Sequence, residues 1–212
     1  DAYNAEGYWS FLSVRGFVLD NRFNYRRDSL PINAETALPL ANRERLEVLK
    51  GTSGIQAGTS APGGLVNMVV KRPDRSVRSA ALEMRGNATV GGALDVSQRF
   101  GADQAFGLRV NAAYEHLDPP TDDARGNRHL LALAGDWRPN AGTLLEAEIE
   151  TARQRQPSVP GFSLLGDAVP DASQIDPRTN LNNQPWSLPV VLNGNIASLR
   201  LQQRVSEDWR FV

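Results

Sequence analysis

The sequence predicts a small α+β unit followed by antiparallel strands of a transmembrane β-barrel, with the barrel incomplete in this chain. Three observations lead there. Residues 1–73 are a patchwork of short elements broken by Gly and Pro. From residue 74 onward the apolar residues recur with a period of two. The links between the periodic segments are tight on one side of the sheet and grow long on the other.

The irregular unit is read in order. WSFLSVRGF (9–17) is a strand stopped by Gly16, VLDNRFN (18–24) is a polar loop, and YRRDSLPI (25–32) is extended and broken by Pro31. ETALPLANRERLEVLKG (35–51) combines a short helix with an extended RLEVLK that Gly51 ends. SGIQAG (53–58) reads as one helical turn, and residues 64–71 as a strand. The Gly-rich run GTSAPGGLVNMVVKRP (58–73) invites two enzymatic readings, and both fail. A phosphate loop needs a lysine where Thr59 stands, and neither Ser53 nor Ser60 sits between the glycines of a nucleophile elbow.

In FGLRVNAAYEH, Phe106, Leu108, Val110, Ala112 and Tyr114 share one face, opposite Gly107, Arg109, Asn111 and Glu115. AALEMRGNATV sets Ala80, Leu82, Met84, Ala88 and Val90 against Glu83, Arg85, Asn87 and Thr89. TLLEAEIE sets Leu145, Ala147 and Ile149 against Glu146, Glu148 and Glu150, and IASLRLQQRV sets Ala197, Leu199, Leu201 and Val205 against Ser198, Arg200, Gln202 and Arg204. ALDVSQRF, HLLALAGDWR and a run starting at Trp209 are weaker copies. This alternation alone fits a soluble sandwich as well as a membrane wall.

Connections favour the wall. Tight links are expected at Gly91–Gly92, 101–105, 139–142 and 206–208, a medium one at 118–128 and a very long one at 156–193. Short turns on one side and long loops on the other are the habit of outer-membrane barrels. Phe100, Phe106, Trp137 and Trp209 flank the short-turn side, as an interfacial girdle would. Lumen-facing Arg109 and Glu148 are then expected to tolerate exchange better than Leu108, which faces lipid.

Composition excludes several classes. The chain has 212 residues, 41% hydrophobic and 22% charged, so it is not disordered. Without cysteine, thiol catalysis and disulfides are excluded, and a net charge of −1 gives no support for a nucleic-acid partner. No apolar run is long enough for a membrane-spanning helix, which leaves strands open.

RERLEVLKGTSGIQAGTSAPGGLVNMVVKRPD (43–74) resembles the plug-domain signature of TonB-dependent outer-membrane receptors, in their ferric-siderophore branch. LSVRGF and YRRDSLPI upstream are similar to the same plug, and the loop PGFSLLGDAVPD…DPRTNLNNQPW followed by LRLQQRVSEDWRF is similar to an extracellular loop and hairpin of that branch. One position departs: the family's LYG triplet reads QAG here, with Gln56 in place of the aromatic.

The resemblance implies a plug at 1–73 and the first barrel strands at 74–212, with an extracellular loop over about 156–193. It implies a bacterial outer-membrane receptor that binds a ferric siderophore and imports it with energy from the TonB complex. No bond is made or broken, and no cofactor or protein metal ligand is required, because the iron arrives chelated. The chain is expected to be a piece of such a receptor, since barrels close with an even number of strands, at least eight. Other nutrients of the family, a cobalamin or haem, and a soluble extracellular β-rich binding module are the alternatives. An outer-membrane hydrolase lacks a visible Ser/His/Asp set.

Candidate ligand contacts follow. Arg15 in VRGF matches a family position near the ligand. Arg22, Phe23, Tyr25, Arg26 and Arg27 form a basic and aromatic cluster suited to an anionic, aromatic chelate. Gln56 stands at the tip, and Trp186 and Phe162 are candidates to close over ligand from the long loop. Glu146, Glu148 and Glu150 read as a wet lumen wall or as partners of plug arginines. His116 and His129 read as water-facing rim residues, and the Asn87 sequon lies inside a strand.

Overall fold

The computed structural model describes residues 2–3, 6–9, 11–51, 62–86, 88–160, 166–169 and 171–212. They form three sheets. The first joins β1 (Ala2–Tyr3), β2 (Phe11–Val14) and β3 (Phe17–Val18) in chain order. Between β2 and β3, Arg15 (φ 53°) and Gly16 (φ 82°) make a two-residue turn with both φ positive, the twist that a tight hairpin requires.

The second sheet contains β4 (Tyr25–Arg27), β5 (Leu30–Pro31), β6 (Arg43–Lys50) and β7 (Gly64–Val70), in the order β5-β4-β7-β6. β4 runs parallel to β7, and the other pairs are antiparallel. β7 is the buried strand expected of GLVNMVV. Gly64 is required at its start: its φ is 127°, and a Cβ there would lie 2.1 Å from the Leu49 carbonyl oxygen. Leu19, Tyr25, Ala34, Val66 and Met68 form the core, flanked by Leu12, Val14, Ile32 and Leu38.

The expected α content is corrected. Among the described residues there is no α-helix, only 3-10 turns at Ala102–Gln104 and Ala172–Gln174. Residues 33–42 run as an irregular link. Pro39 removes a donor there, and the segment's entry is held by Ile32 N–H to Tyr25 O at 3.2 Å and Ala34 N–H to Asn21 O at 2.8 Å. A helix so short does not survive that competition. The turn expected at 53–58 lies outside the described residues.

The third sheet is an antiparallel meander of seven strands in chain order: β8 (Val77–Arg85), β9 (Thr89–Phe100), β10 (Phe106–Leu117), β11 (Gly126–Asn140), β12 (Thr143–Gln156), β13 (Val190–Arg204) and β14 (Arg210–Phe211). β8 ends at Arg85 and β9 begins at Thr89, so the first link is not at Gly91–Gly92, and both glycines lie inside β9. That strand is paired on both edges, so ladder bonds outweigh the weak strand preference of glycine.

Alternation is as expected along β10 and β12. Gly107, Arg109, Asn111 and Glu115 are buried, as are Glu146, Glu148 and Glu150, while Leu108 and Ile149 are exposed. On β11 the buried face is apolar at Leu130, Ala132 and Ala134 and continues to Asp136, which pairs with Arg99. Leu130 and Ala132 pack with Ala152 against Ala41 of the second sheet. Straight rungs cross the outer face: Phe106–Trp137–Leu145–Leu201 near the short turns, Val110–Leu133–Ile149–Ala197 above it, and Leu94–Ala112–Leu131–Thr151–Asn195 above that.

Candidate functional site

Two regions concentrate chemistry. The first is a buried ionic seam where the second sheet meets the inner face of the third. Arg43 donates to Glu150 through Nη1 (2.7 Å) and Nη2 (3.0 Å), and Asn42 Nδ2 adds a third bond at 2.7 Å. Arg27 Nη2 reaches Glu150 at 2.6 Å, and its Nη1 pairs with Glu148. Arg72 pairs with Asp28, with Glu148 at 3.0 Å and with Glu146 at 3.6 Å. Lys71 and Arg109 share Asp95 at 2.9 and 2.8 Å. The second sheet and its end supply most of the cations and the third sheet most of the anions.

The seam realises one of the two readings of the glutamate strand and corrects two expectations. Arg27 belongs to the seam and not to a ligand-facing cluster. Arg26 is also buried, donating to the carbonyls of Phe23 (2.9 Å) and Tyr25 (3.1 Å). Arg109 and Glu148 are buried partners in these ion pairs, so neither is free to be exchanged. Sequence reasoning missed Asn42, Arg43 and Arg72, because the partner of an inward-facing glutamate is set by how two sheets dock.

The second region is the opposite end of the second sheet. β4 enters beside Val66, so the loop before it lies next to Gly64, and Gly51 N–H meets Gly63 O at 3.4 Å. The exposed Arg15 reaches the same end: a Cβ on Gly51 would sit 2.9 Å from its Nη2. Arg22 is exposed and held by Asp20, with Nη2 at 3.2 Å and backbone N–H at 2.8 Å, and its guanidinium carbon lies 5.4 Å from the Phe23 ring centroid. Hydrogen bonding from Arg22 keeps the Asp20 carboxyl below its usual range. The structure thus brings Arg15, Arg22 and Phe23 to one end.

Tyr25 is not with them. Its ring is 1% exposed in the core, so it cannot stack on a ligand. Gln56 and Phe162 lie outside the described residues. Trp186 is 79% exposed on the long link, and no described contact carries it to Arg15 or Arg22. His116 and His129 are exposed, as expected.

A junction above this end ties three segments together. Gln156 Nε2 donates to Ala124 O at 2.9 Å, and its Oε1 accepts from Gly7 N–H at 3.3 Å. Val159 N–H bonds to Glu6 O at 3.2 Å, and Thr121 Oγ1 to Glu6 Oε1 at 3.2 Å. Asp122 N–H meets Arg178 O at 2.8 Å, joining the medium and long links. Gly7 has φ 72°, and a Cβ would lie 2.3 Å from Pro157 O, so only glycine fits.

Comparison with known proteins now bears on this geometry. Residues 2–65 match the TonB-dependent Receptor Plug Domain, a span containing the first sheet, β4, β5, β6 and the first two residues of β7. The chain carries the plug domain of a TonB-dependent receptor. These receptors are outer-membrane proteins. The chain is similar to the ferrichrome receptor FcuA of Yersinia enterocolitica, 30% identical over 78% of this chain and 22% of the relative. It is similar to the metal-pseudopaline receptor CntO of Pseudomonas aeruginosa, 28% identical over 80% of the chain and 23% of the relative. Among solved structures it resembles BauA, the ferric preacinetobactin receptor of Acinetobacter baumannii, with a TM-score of 0.80 at 22% identity over 98% of this chain and 31% of that one. The chain therefore spans less than a third of the proteins it matches, and the plug with the antiparallel sheet corresponds to a part of such a receptor.

Proposed function

We propose that this chain is part of an outer-membrane importer of a ferric siderophore, in which β8–β14 belong to the wall of a transmembrane barrel and residues 1–73 to the plug inside it. The observation that carries the reading is a slanted apolar band on the outer face. On β8 the band begins at Ala80, on the rung of Leu131, and on β13 it begins at Leu201, on the rung of Trp137, six residues lower. Its upper edge slips equally, from Met84 on the rung of Asn127 to Ala197 on the rung of Leu133. A slip of that size over five strand spacings corresponds to a tilt of ~40°, within the range of about 35–45° that barrel closure demands.

Side chains in the band are open to the surroundings: Leu82 is 92% exposed, Ile149 62% and Leu199 73%. A soluble module does not leave so much contiguous apolar surface bare. A lipid-facing wall does, and the stacked Phe100, Phe106 and Trp137, with centroids 5.8 and 6.1 Å apart, sit at its lower edge.

The ligand end is the one with Arg15, Arg22 and Phe23, which lies toward the long links. Planar, weakly hydrated guanidinium groups suit carboxylate or catecholate oxygens around a chelated iron. Asp20 pre-orients Arg22, and Trp186 closes from the long link. The TonB complex then draws on the plug from the periplasm. FcuA and BauA are named for ferric siderophores, and CntO for a metal chelate, which favours a metallophore over cobalamin or haem. The test is growth of a deletion strain under iron limitation on a panel of purified siderophores, with the full receptor restored. Growth on none of them, together with uptake of haem or cobalamin, would discard the ferric-siderophore reading.

A further inference from the structure

Above the apolar band, on the same outer face, lies a patch of different character. One rung carries Tyr114, His129, Arg153 and Asn193, and the next carries His116, Asn127, Arg155 and Val191. His116, His129, Arg153 and Arg155 are all exposed, and no acidic side chain shares this face on either rung. Nearby arginines have acids: Arg125 has Asp118, Arg128 has Glu115 and Arg178 has Asp176. Arg153 and Arg155 have no ion pair among the described residues.

Height decides what meets them. On β12 the band ends at Ile149, and Thr151 marks its edge. Along a strand tilted by ~40°, Arg153 and Arg155 stand ~10 and ~16 Å above Ile149. That is the headgroup layer beyond the hydrocarbon, on the side of the long links. Tyr114 shares a rung with Arg153 but sits on β10, where the slant places the rung lower, at the belt position that tyrosine favours.

We propose that Arg153 and Arg155 form a docking site for a phosphate of the phosphorylated glycolipid of the outer leaflet, with His129 and His116 alongside. The guanidinium fork matches phosphate oxygens in a bidentate way, and the long stems adjust to headgroup depth. The proposal rests on reading β8–β14 as a membrane wall.

The full receptor is reconstituted in phosphatidylcholine vesicles, with and without diphosphoryl lipid A, and the lipid A retained per receptor is measured. Each arginine facing an anionic surface contributes about a fivefold gain in affinity, so Arg153→Gln with Arg155→Gln is expected to bind roughly 25-fold more weakly. Dephosphorylated lipid A should bind wild type as poorly as diphosphoryl lipid A binds the variant, and millimolar inorganic phosphate should compete only weakly. Equal retention by wild type and variant, or indifference to the phosphates, would overturn the site. Displacement by inorganic phosphate alone would reassign it to a soluble anion. Insertion into the phosphatidylcholine vesicles is read separately: failure there would sink the membrane-wall reading and this site with it.

Discussion

Arg43 grips Glu150 with both terminal nitrogens, at 2.7 and 3.0 Å, and both side chains are almost fully buried. One comes from the edge strand of the plug sheet and the other from the fifth strand of the long meander, 107 residues later. This is the central bolt between the two sheets.

Removing Arg43 takes two hydrogen bonds from the buried Glu150 and leaves it Arg27 and Asn42, so the cost is expected to fall below the about 3–5 kcal/mol of a fully orphaned buried charge. Arg43→Ala in the full receptor is expected to loosen the plug, measured as faster protease cleavage within residues 1–73. Arg43→Met combined with Glu150→Leu should recover part of the loss, because both charges of the pair are removed together while Arg27 keeps Glu148. A single variant as resistant as wild type would show that the seam does not hold the plug.

The slanted band makes a sharper test than facing alone. Leu94 and Thr151 occupy one rung, yet Leu94 lies in the middle of the band on β9 and Thr151 at its edge on β12. Leu94→Arg should cost about 2–4 kcal/mol and Thr151→Arg about 0–1 kcal/mol, read as the yield of heat-modifiable folded barrel. Equal costs would remove the tilt.

Gly7 closes the junction between the plug and the outer links. Gly7→Ala forces a Cβ against the Pro157 carbonyl at a positive φ, so the Gly7 to Gln156 hydrogen bond should be lost. Expected is faster proteolysis of residues 157–189 with an unchanged barrel. Unchanged cleavage of that link would mean that the plug does not restrain it.

Sidedness follows from strand parity. Ser173→Cys should react with an impermeant maleimide on whole cells, and Asn140→Cys, at the end of β11 beside the short β11–β12 turn, should not. The reverse pattern would invert the topology.

Ligand recognition is expected at Arg22. A hydrogen bond to a charged group contributes about 1.5–3 kcal/mol, so Arg22→Ala should raise the dissociation constant for the cognate ferric siderophore roughly ten- to a hundredfold. Tyr25→Phe, in the core, should leave it unchanged. If Arg22→Ala binds like wild type while Trp186→Ala loses affinity, recognition lies in the long link.

Most strands of the long meander, their two faces and the long links were legible in the sequence, because a period of two is a local property of the chain. The turns at Arg15–Gly16 and Asp28–Ser29, which fold two segments read as single extended pieces into hairpins, were not. Leu108 and Ile149 outward, Arg109 and Glu148 inward, needed no partner to be assigned. Local signals erred where tertiary pairing outweighed them. Gly91 and Gly92 look like a turn, but neighbours on both sides hold them in β9. Residues 35–42 look helical, but Pro39 and bonds to the plug core keep them irregular. Only the tertiary structure decided that Arg27, Arg43 and Arg72 meet Glu146, Glu148 and Glu150, that Tyr25 is core, and that Gly7 touches the outer links. The Arg27 and Arg43 pairs and the Gly7 contact join residues more than 100 positions apart, and the Arg72 pairs join residues more than 70 apart. The docking of one sheet against another sets them, and no periodicity in either segment carries that information.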